Sequence, residues 1–122
     1  MNKNLSITAL LGALTIILGA FGAHVLKEKL SPETLQSFET AIRYQMYHVL
    51  ALLFVNIYHS FSNKTKNMIS YLFFMGIFFF SGSIYAIAAG INPKSIWFIT
   101  PLGGLLFIIG WVFMFYSFVK KK

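Results

Sequence analysis

No cysteine occurs in the 122 residues, which excludes disulfides, thiolate metal sites and cysteine nucleophiles. Charge is scarce too: 11% of residues are charged, against about 25% in an ordinary soluble domain. The acidic residues are Glu28, Glu33 and Glu39 alone, and none lies inside a long apolar run. A small proton-coupled cation exporter needs a carboxylate within a span, so that class loses its coupling group. No Walker-type lysine loop, HExxH or GxSxG motif is present. The stretch "GLLFIIG" at 104–110 is no nucleotide fingerprint, because no strand precedes it and it lies in an apolar run. These exclusions point away from an enzyme: no catalytic residue and no metal ligand set is expected, and no cofactor is implied.

What is abundant is apolar surface. Hydrophobic residues make up 57% of the chain and aromatics 18%, with fourteen phenylalanines, which suits a lipid-facing surface. The formal charge of +7 is dispersed in short basic runs between apolar segments. That placement orients a membrane protein and does not grip nucleic acid. The lipid bilayer is the first expected partner.

Four uncharged runs, 5–26, 44–61, 68–90 and 96–119, are each near the roughly 20 residues that cross a hydrocarbon layer. They predict an all-α fold, one integral membrane domain over 1–122 built as a four-helix bundle. The first run exceeds the about 7–15 residues of a signal-peptide core, so it reads as a retained span. The similar stretches "LGALTIILG" and "LGGLLFIIG" fall in the first and fourth runs, where a two-plus-two duplication would not put them. A shared packing demand explains them better than a repeat.

With four spans, Lys3, Lys64, Lys66, Lys120, Lys121 and Lys122 share one side of the membrane. Lys27, Lys29, Arg43, Lys94 and all three glutamates share the other. The positive-inside bias then predicts a cell (inner) membrane protein with both termini cytoplasmic. Between the first two runs, Ser31 followed by Pro32 reads as an N-cap with proline in the first turn. Leu35, Phe38, Ile42, Met46 and Val49 recur on one helical face. An amphipathic outer helix over 32–43 leading into the second span is expected.

Small residues concentrate in three runs. Gly12, Gly19 and Ala23 in the first, Gly82, Ala86 and Gly90 in the third, and Gly103, Gly104 and Gly110 in the fourth are the expected helix-packing positions. Lipid tails are as apolar as leucine, so close packing drives much of helix association in membranes, and small residues permit it. The polar residues of the runs gather near the outer end: His24, Arg43, Tyr44, Gln45, Tyr47, His48, Ser81, Ser83, Tyr85 and Thr100. His59 lies about 16 Å deeper than His48 at roughly 1.5 Å per residue, in another layer. The outer set reads in two ways. It is a polar pocket open to the outer face, with His24, Arg43 and His48 at its mouth. Alternatively it anchors helices at the headgroup level, with serines bonding to their own or a neighbouring helix.

Four motifs carry a family resemblance: "LGAFGAH", "FETAIRYQMYHVLALL", "FSGSIY" and "ITPLGGLLFIIGW", in that order from Leu18 to Trp111. Together they resemble the domain of unknown function 423 family, whose eukaryotic relatives are called transmembrane protein 256. The resemblance implies a four-span membrane protein and no known activity. It marks out His24, Tyr44, Gln45, Tyr47, His48, Ser81, Ser83, Tyr85 and Thr100, largely the outer layer already named. The expected function is a non-enzymatic partner or assembly protein for a second copy of itself or another membrane protein. The alternative is a binding site for a lipid headgroup, a quinone or haem, and transport ranks third.

Overall fold

The computed structural model describes residues 3–120, apart from the side chain of Ala23. Four helices result: α1 (Lys3–Leu26), α2 (Pro32–Ile57), α3 (Asn63–Ala88) and α4 (Pro93–Lys120). Three of them start with the same device, a polar side chain accepting a free backbone N–H of the first turn. Ser31 accepts from Thr34 before α2, Ser62 from Thr65 before α3, and Asn92 from Lys94 before α4. Pro32 and Pro93 open α2 and α4, where a missing N–H costs nothing.

α1, α3 and α4 are long and apolar enough to cross a membrane. α2 has 26 residues, about 39 Å at roughly 1.5 Å per residue, but Arg43, Gln45, His48 and Asn56 interrupt its apolar run. The segment expected as a separate outer helix, 32–43, is the first part of α2, which continues unbroken to Ile57. The expected second span therefore stops four residues early. Tyr58 turns extended at φ −69°, ψ 109°, and residues 58–62 form the turn into α3.

Two π-helical turns interrupt the ladders, Leu18–Gly22 in α1 and Ile77–Ser81 in α3. Each re-aims the helix beyond it. In α1 the turn carries "LGAFG", and its glycines meet α2: a Cβ at Gly19 would touch Ile42 at 3.4 Å, and one at Gly22 would press on Phe38 at 3.0 Å. Gly12 receives Val49 in the same way. The small residues at the end of the first run thus seat the outer part of α2.

α3 and α4 lock more tightly. The Phe107 ring lies over Gly76, the Phe73 ring over Gly110, and the Phe80 backbone against Gly103. A Cβ at Gly76 or Gly110 would come within 2.5 Å of those rings. The rungs descend α3 at steps of four and three as they ascend α4, an antiparallel register of aromatic knobs and glycine holes. Beneath them Leu52, Val55, Phe61, Ile69, Ile77 and Met114 complete the core with Phe73 and Phe107.

The expected Gly82–Ala86–Gly90 seam is corrected. Gly82 has open space where a Cβ would point, and Gly90 packs on nothing. Gly90 instead ends α3 with φ 116°, a left-handed position that disfavours side chains. Its N–H reaches the Ile87 carbonyl at 3.0 Å and that of Ile91 reaches Ala86 at 3.0 Å, the Schellman pattern of a helix end. A Cβ at Gly104 would come no nearer than 4.0 Å to the Phe80 ring. Ala23's side chain lies outside the described residues.

The helices touch in chain order: α1 packs on α2, α2 on α3, and α3 on α4. Among the described residues no comparable contact closes α1 onto α4. α1 is an edge, with Leu10, Ile16, Ile17 and Phe21 exposed.

Candidate functional site

The polar side chains between the helices form cross-links, one or two per layer. Gln45, buried on α2, is the hub of one such layer. Its amide N–H groups donate to Thr15 Oγ1 at 2.7 Å and, at 3.3 Å, to the Leu11 carbonyl of α1. Its amide oxygen accepts the Tyr85 hydroxyl of α3 at 2.7 Å. One side chain thus ties three helices. The Tyr85 ring is held by Phe38 at 5.5 Å.

Ser81, at the end of the π-helical turn, donates to the Ala41 carbonyl of α2 at 2.8 Å. Ser83 and Thr100 share a short hydrogen bond between α3 and α4. Ser83 also reaches back to the Phe80 carbonyl at 3.0 Å.

His48, 5% exposed, joins α2 to α4. Nδ1 lies 2.7 Å from the Tyr44 carbonyl, which can only accept, so Nδ1 carries the proton. Nε2 therefore presents a lone pair, which accepts the Trp111 indole N–H at 3.0 Å. The imidazole stacks on Phe107 at 3.7 Å between ring centres and meets Phe73 edge-on at 4.9 Å. Both ring nitrogens are engaged, one ring face is covered by Phe107, and Phe73 and Trp111 meet the ring edge-on.

A second polar layer lies toward the end that carries both termini. Asn4 of α1 donates to Asn56 at 3.1 Å and to Asn67 at 2.9 Å. Asn56 donates to Ser70 and to the Leu52 carbonyl, both at 2.9 Å. Among the described residues no buried side-chain nitrogen or oxygen lacks a partner, and no three metal-ligating side chains cluster.

The ten residues of the expected outer pocket therefore separate. Gln45, His48, Ser81, Ser83, Tyr85 and Thr100 come together between helices. His24, Arg43, Tyr44 and Tyr47 are exposed. Arg43 donates to Thr40 on its own helix at 3.0 Å, and Tyr44 stacks on Phe80 at 5.1 Å. The neighbours of the His48 ring come from α2, α3 and α4, whereas His24 sits at the far end of α1. The two histidines share neither a pocket nor the expected common depth: Gly22 meets Phe38 and Gly12 meets Val49, so His48 lies level with Gly12, well below His24. A groove of about 590 Å³ opens beside His48 between α2 and α4, lined by Tyr44, Gly104, Phe107 and Trp111 among others.

Sequence reasoning passed over Thr15, Ser70 and Trp111. Trp111 had a signal: an indole in mid-span, away from the interfaces where tryptophan usually sits, needs a partner for its N–H. A lone mid-span hydroxyl such as Thr15 can bond its own helix, as it does to Leu11 at 2.6 Å, so it gives no sign of a second helix.

A family model described as protein of unknown function (DUF423) matches residues 18–104. The chain belongs to that family. It is 40% identical over 121 residues to a UPF0382 membrane protein of Haemophilus influenzae, covering 99% of this chain and 97% of that one. A UPF0382 membrane protein of Staphylococcus saprophyticus is 45% identical over 109 residues, 86% of this chain and 90% of its own. One from Staphylococcus aureus is 43% identical over 115 residues, covering 91% and 93%. No solved structure matches. The relatives are named as membrane proteins, in agreement with the three apolar helices, and the family description assigns no activity.

Proposed function

We propose that this chain is a non-enzymatic, four-span protein of the cell membrane that acts as a partner or assembly protein. Its counterpart is a second copy of itself or another membrane protein. The observation that carries the reading is the state of the interior polar groups. Gln45, His48, Ser81, Ser83, Tyr85, Thr100 and Asn56 all bond across helices, and every buried side-chain polar atom among the described residues has a partner. A site for chemistry or coupled transport keeps polar groups free to meet a substrate. These groups hold helices in register instead.

The helix surface supports the same reading. Among the described residues α1 packs mainly on α2, and the α3 face at Gly82 is open to close approach. Both are places where another span fits without displacing anything. Orientation follows from the lysines: with α2 spanning, those near both termini and in the α2–α3 turn fall on the cytoplasmic side. Haem ligation at His48 is disfavoured, since the metal would have to displace Trp111 from Nε2.

The test is native mass spectrometry of the protein extracted in its own lipids with a membrane-solubilising polymer. A defined complex, with itself or with another membrane protein, is expected. A monomer that retains a small molecule, lost when His24 and His48 are replaced together, would overturn the reading in favour of a ligand-binding protein.

A further inference from the structure

The end of the molecule that carries both termini differs from the other in charge. Among the described residues it holds Lys3, Lys64, Lys66 and Lys120, whereas Glu28, Glu33 and Glu39 all lie at the opposite end. Between the α2–α3 turn and the last turns of α4 lies a cleft of about 720 Å³. Lys64, in the first turn of α3, and Lys120, in the last turn of α4, stand on its rim with His59. Its floor is apolar, formed by Phe61, Met68 and Phe113. Lys120 extends over the Tyr116 ring, 5.8 Å from its centre, so its ammonium is held at the cleft.

This composition has the two parts an amphiphile needs: cations and hydroxyl groups at the level of the helix ends, and an apolar floor beside them. A smaller cleft of about 370 Å³ at the same end, lined by Lys3, Lys66 and four asparagines, has the charge without the apolar floor. That contrast selects the larger one. Basic pockets between helix ends at a membrane surface suit anionic headgroups. A soluble anion would gain nothing from Phe61, Met68 and Phe113.

We propose that the cleft between the α2–α3 turn and the end of α4 binds the phosphate headgroup of an anionic phospholipid. Lys64 and Lys120 meet the phosphate, and an acyl chain lies over Phe61, Met68 and Phe113. The site is at the opposite end from the Gln45 and Ser83–Thr100 cross-links and stands independently of any protein partner.

The test measures binding of phosphatidylglycerol to the detergent-solubilised full chain by native mass spectrometry, with phosphatidylcholine and inorganic phosphate as comparison probes. Phosphatidylglycerol should bind in preference to both. The double variant Lys64→Gln/Lys120→Gln should bind it about thirtyfold more weakly, from roughly fivefold per lysine near a membrane surface. The double variant Lys27→Gln/Lys29→Gln, with the same change of charge at the other end, should bind as the unaltered chain does. Equal binding of phosphatidylcholine, an unaffected Lys64→Gln/Lys120→Gln protein, or an equal loss in both double variants would overturn the proposal. Phosphate binding as well as the lipid would also overturn it, in favour of a soluble anion. Near-normal melting temperatures of both variants in detergent exclude misfolding as the cause of any loss.

Discussion

The Trp111 indole N–H donates to Nε2 of His48 across 3.0 Å, between helices that share no other hydrogen bond among the described residues. The Tyr44 carbonyl fixes the proton on Nδ1, so the imidazole is held as one neutral tautomer between Phe107, Phe73 and Trp111. Bonds of this kind in membrane interiors are worth about 0.6 kcal/mol on average and about 1.7 at most. A double-mutant cycle of His48→Phe and Trp111→Phe, read by unfolding in mixed micelles of denaturing detergent, should give a coupling in that range. Strictly additive losses would show that the bond contributes nothing beyond ring packing.

Gln45 offers a sharper contrast, because one side chain serves Thr15, Leu11 and Tyr85. Gln45→Leu leaves the Tyr85 hydroxyl buried without its acceptor, and should cost about 1–3 kcal/mol in the same assay. Tyr85→Phe removes only the donor and should cost less. Once Gln45 is leucine, Tyr85→Phe should recover part of that loss, because the orphaned hydroxyl is gone. If Tyr85→Phe costs the same in both backgrounds, the hydroxyl stabilises the fold by some route other than Gln45.

Which of these relationships could be read from the sequence depends on whether they are local. The four helices were legible because the Ser31–Pro32 cap and the long uncharged runs act within a few residues. Depth was legible in part: Ser81, Ser83, Tyr85 and Thr100 lie toward one end, whereas His48 meets Phe73, Phe107 and Trp111 in mid-span. Rotation about each helix axis was not, since it is set by packing partners and here also by π-helical turns at Leu18–Gly22 and Ile77–Ser81. His24 and His48 differ in depth as well, because the helix that carries His48 begins at Pro32, which sets Phe38 opposite Gly22 and leaves His48 level with Gly12. Glycine spacing misled for a related reason. The i+4 series through Gly82 and Gly90 combines an open face with a helix cap, while the working seam uses Gly76 and Gly110 with the aromatic residues opposite them.

The glycine positions therefore predict an order of damage. At Gly103 an added Cβ meets the Phe80 backbone, which cannot swing aside, so the helices must separate. At Gly76 it meets the Phe107 ring at 2.5 Å, which can shift. Overpacking of this kind costs about 1–3 kcal/mol. Gly103→Ala should fall at or above the top of that range and Gly76→Ala below it. Gly82→Ala meets nothing within 4 Å and should be neutral or stabilising by up to about 1 kcal/mol, from helix propensity. Thermal stability in mild detergent ranks the three, and a Gly82→Ala protein as weak as Gly103→Ala would contradict the register described.

The helix end at Gly90 makes a different demand. Its φ of 116° is strained for any side chain, so Gly90→Ala should destabilise by about 1 kcal/mol although no atom opposes the methyl. Gly82→Ala and Gly90→Ala thus add the same group to equally open space and should differ in sign. Equal effects on melting temperature would remove backbone conformation as the cause.

The membrane crossing of α2 can be decided with a residue type the chain lacks altogether. With no native cysteine, single variants Lys27→Cys, Lys64→Cys and Lys94→Cys each carry one thiol. If α2 crosses, the positions at 27 and 94 face one side and that at 64 faces the other. A membrane-impermeant maleimide should then label Lys27→Cys and Lys94→Cys in intact cells, and Lys64→Cys only after permeabilisation. If α2 lies along the surface and only α1, α3 and α4 cross, 27 and 64 fall on one side and label alike, opposite to 94. The pair at 27 and 64 therefore separates four spans from three whichever way the chain is oriented. The lysine asymmetry determines which of the two classes is accessible from outside.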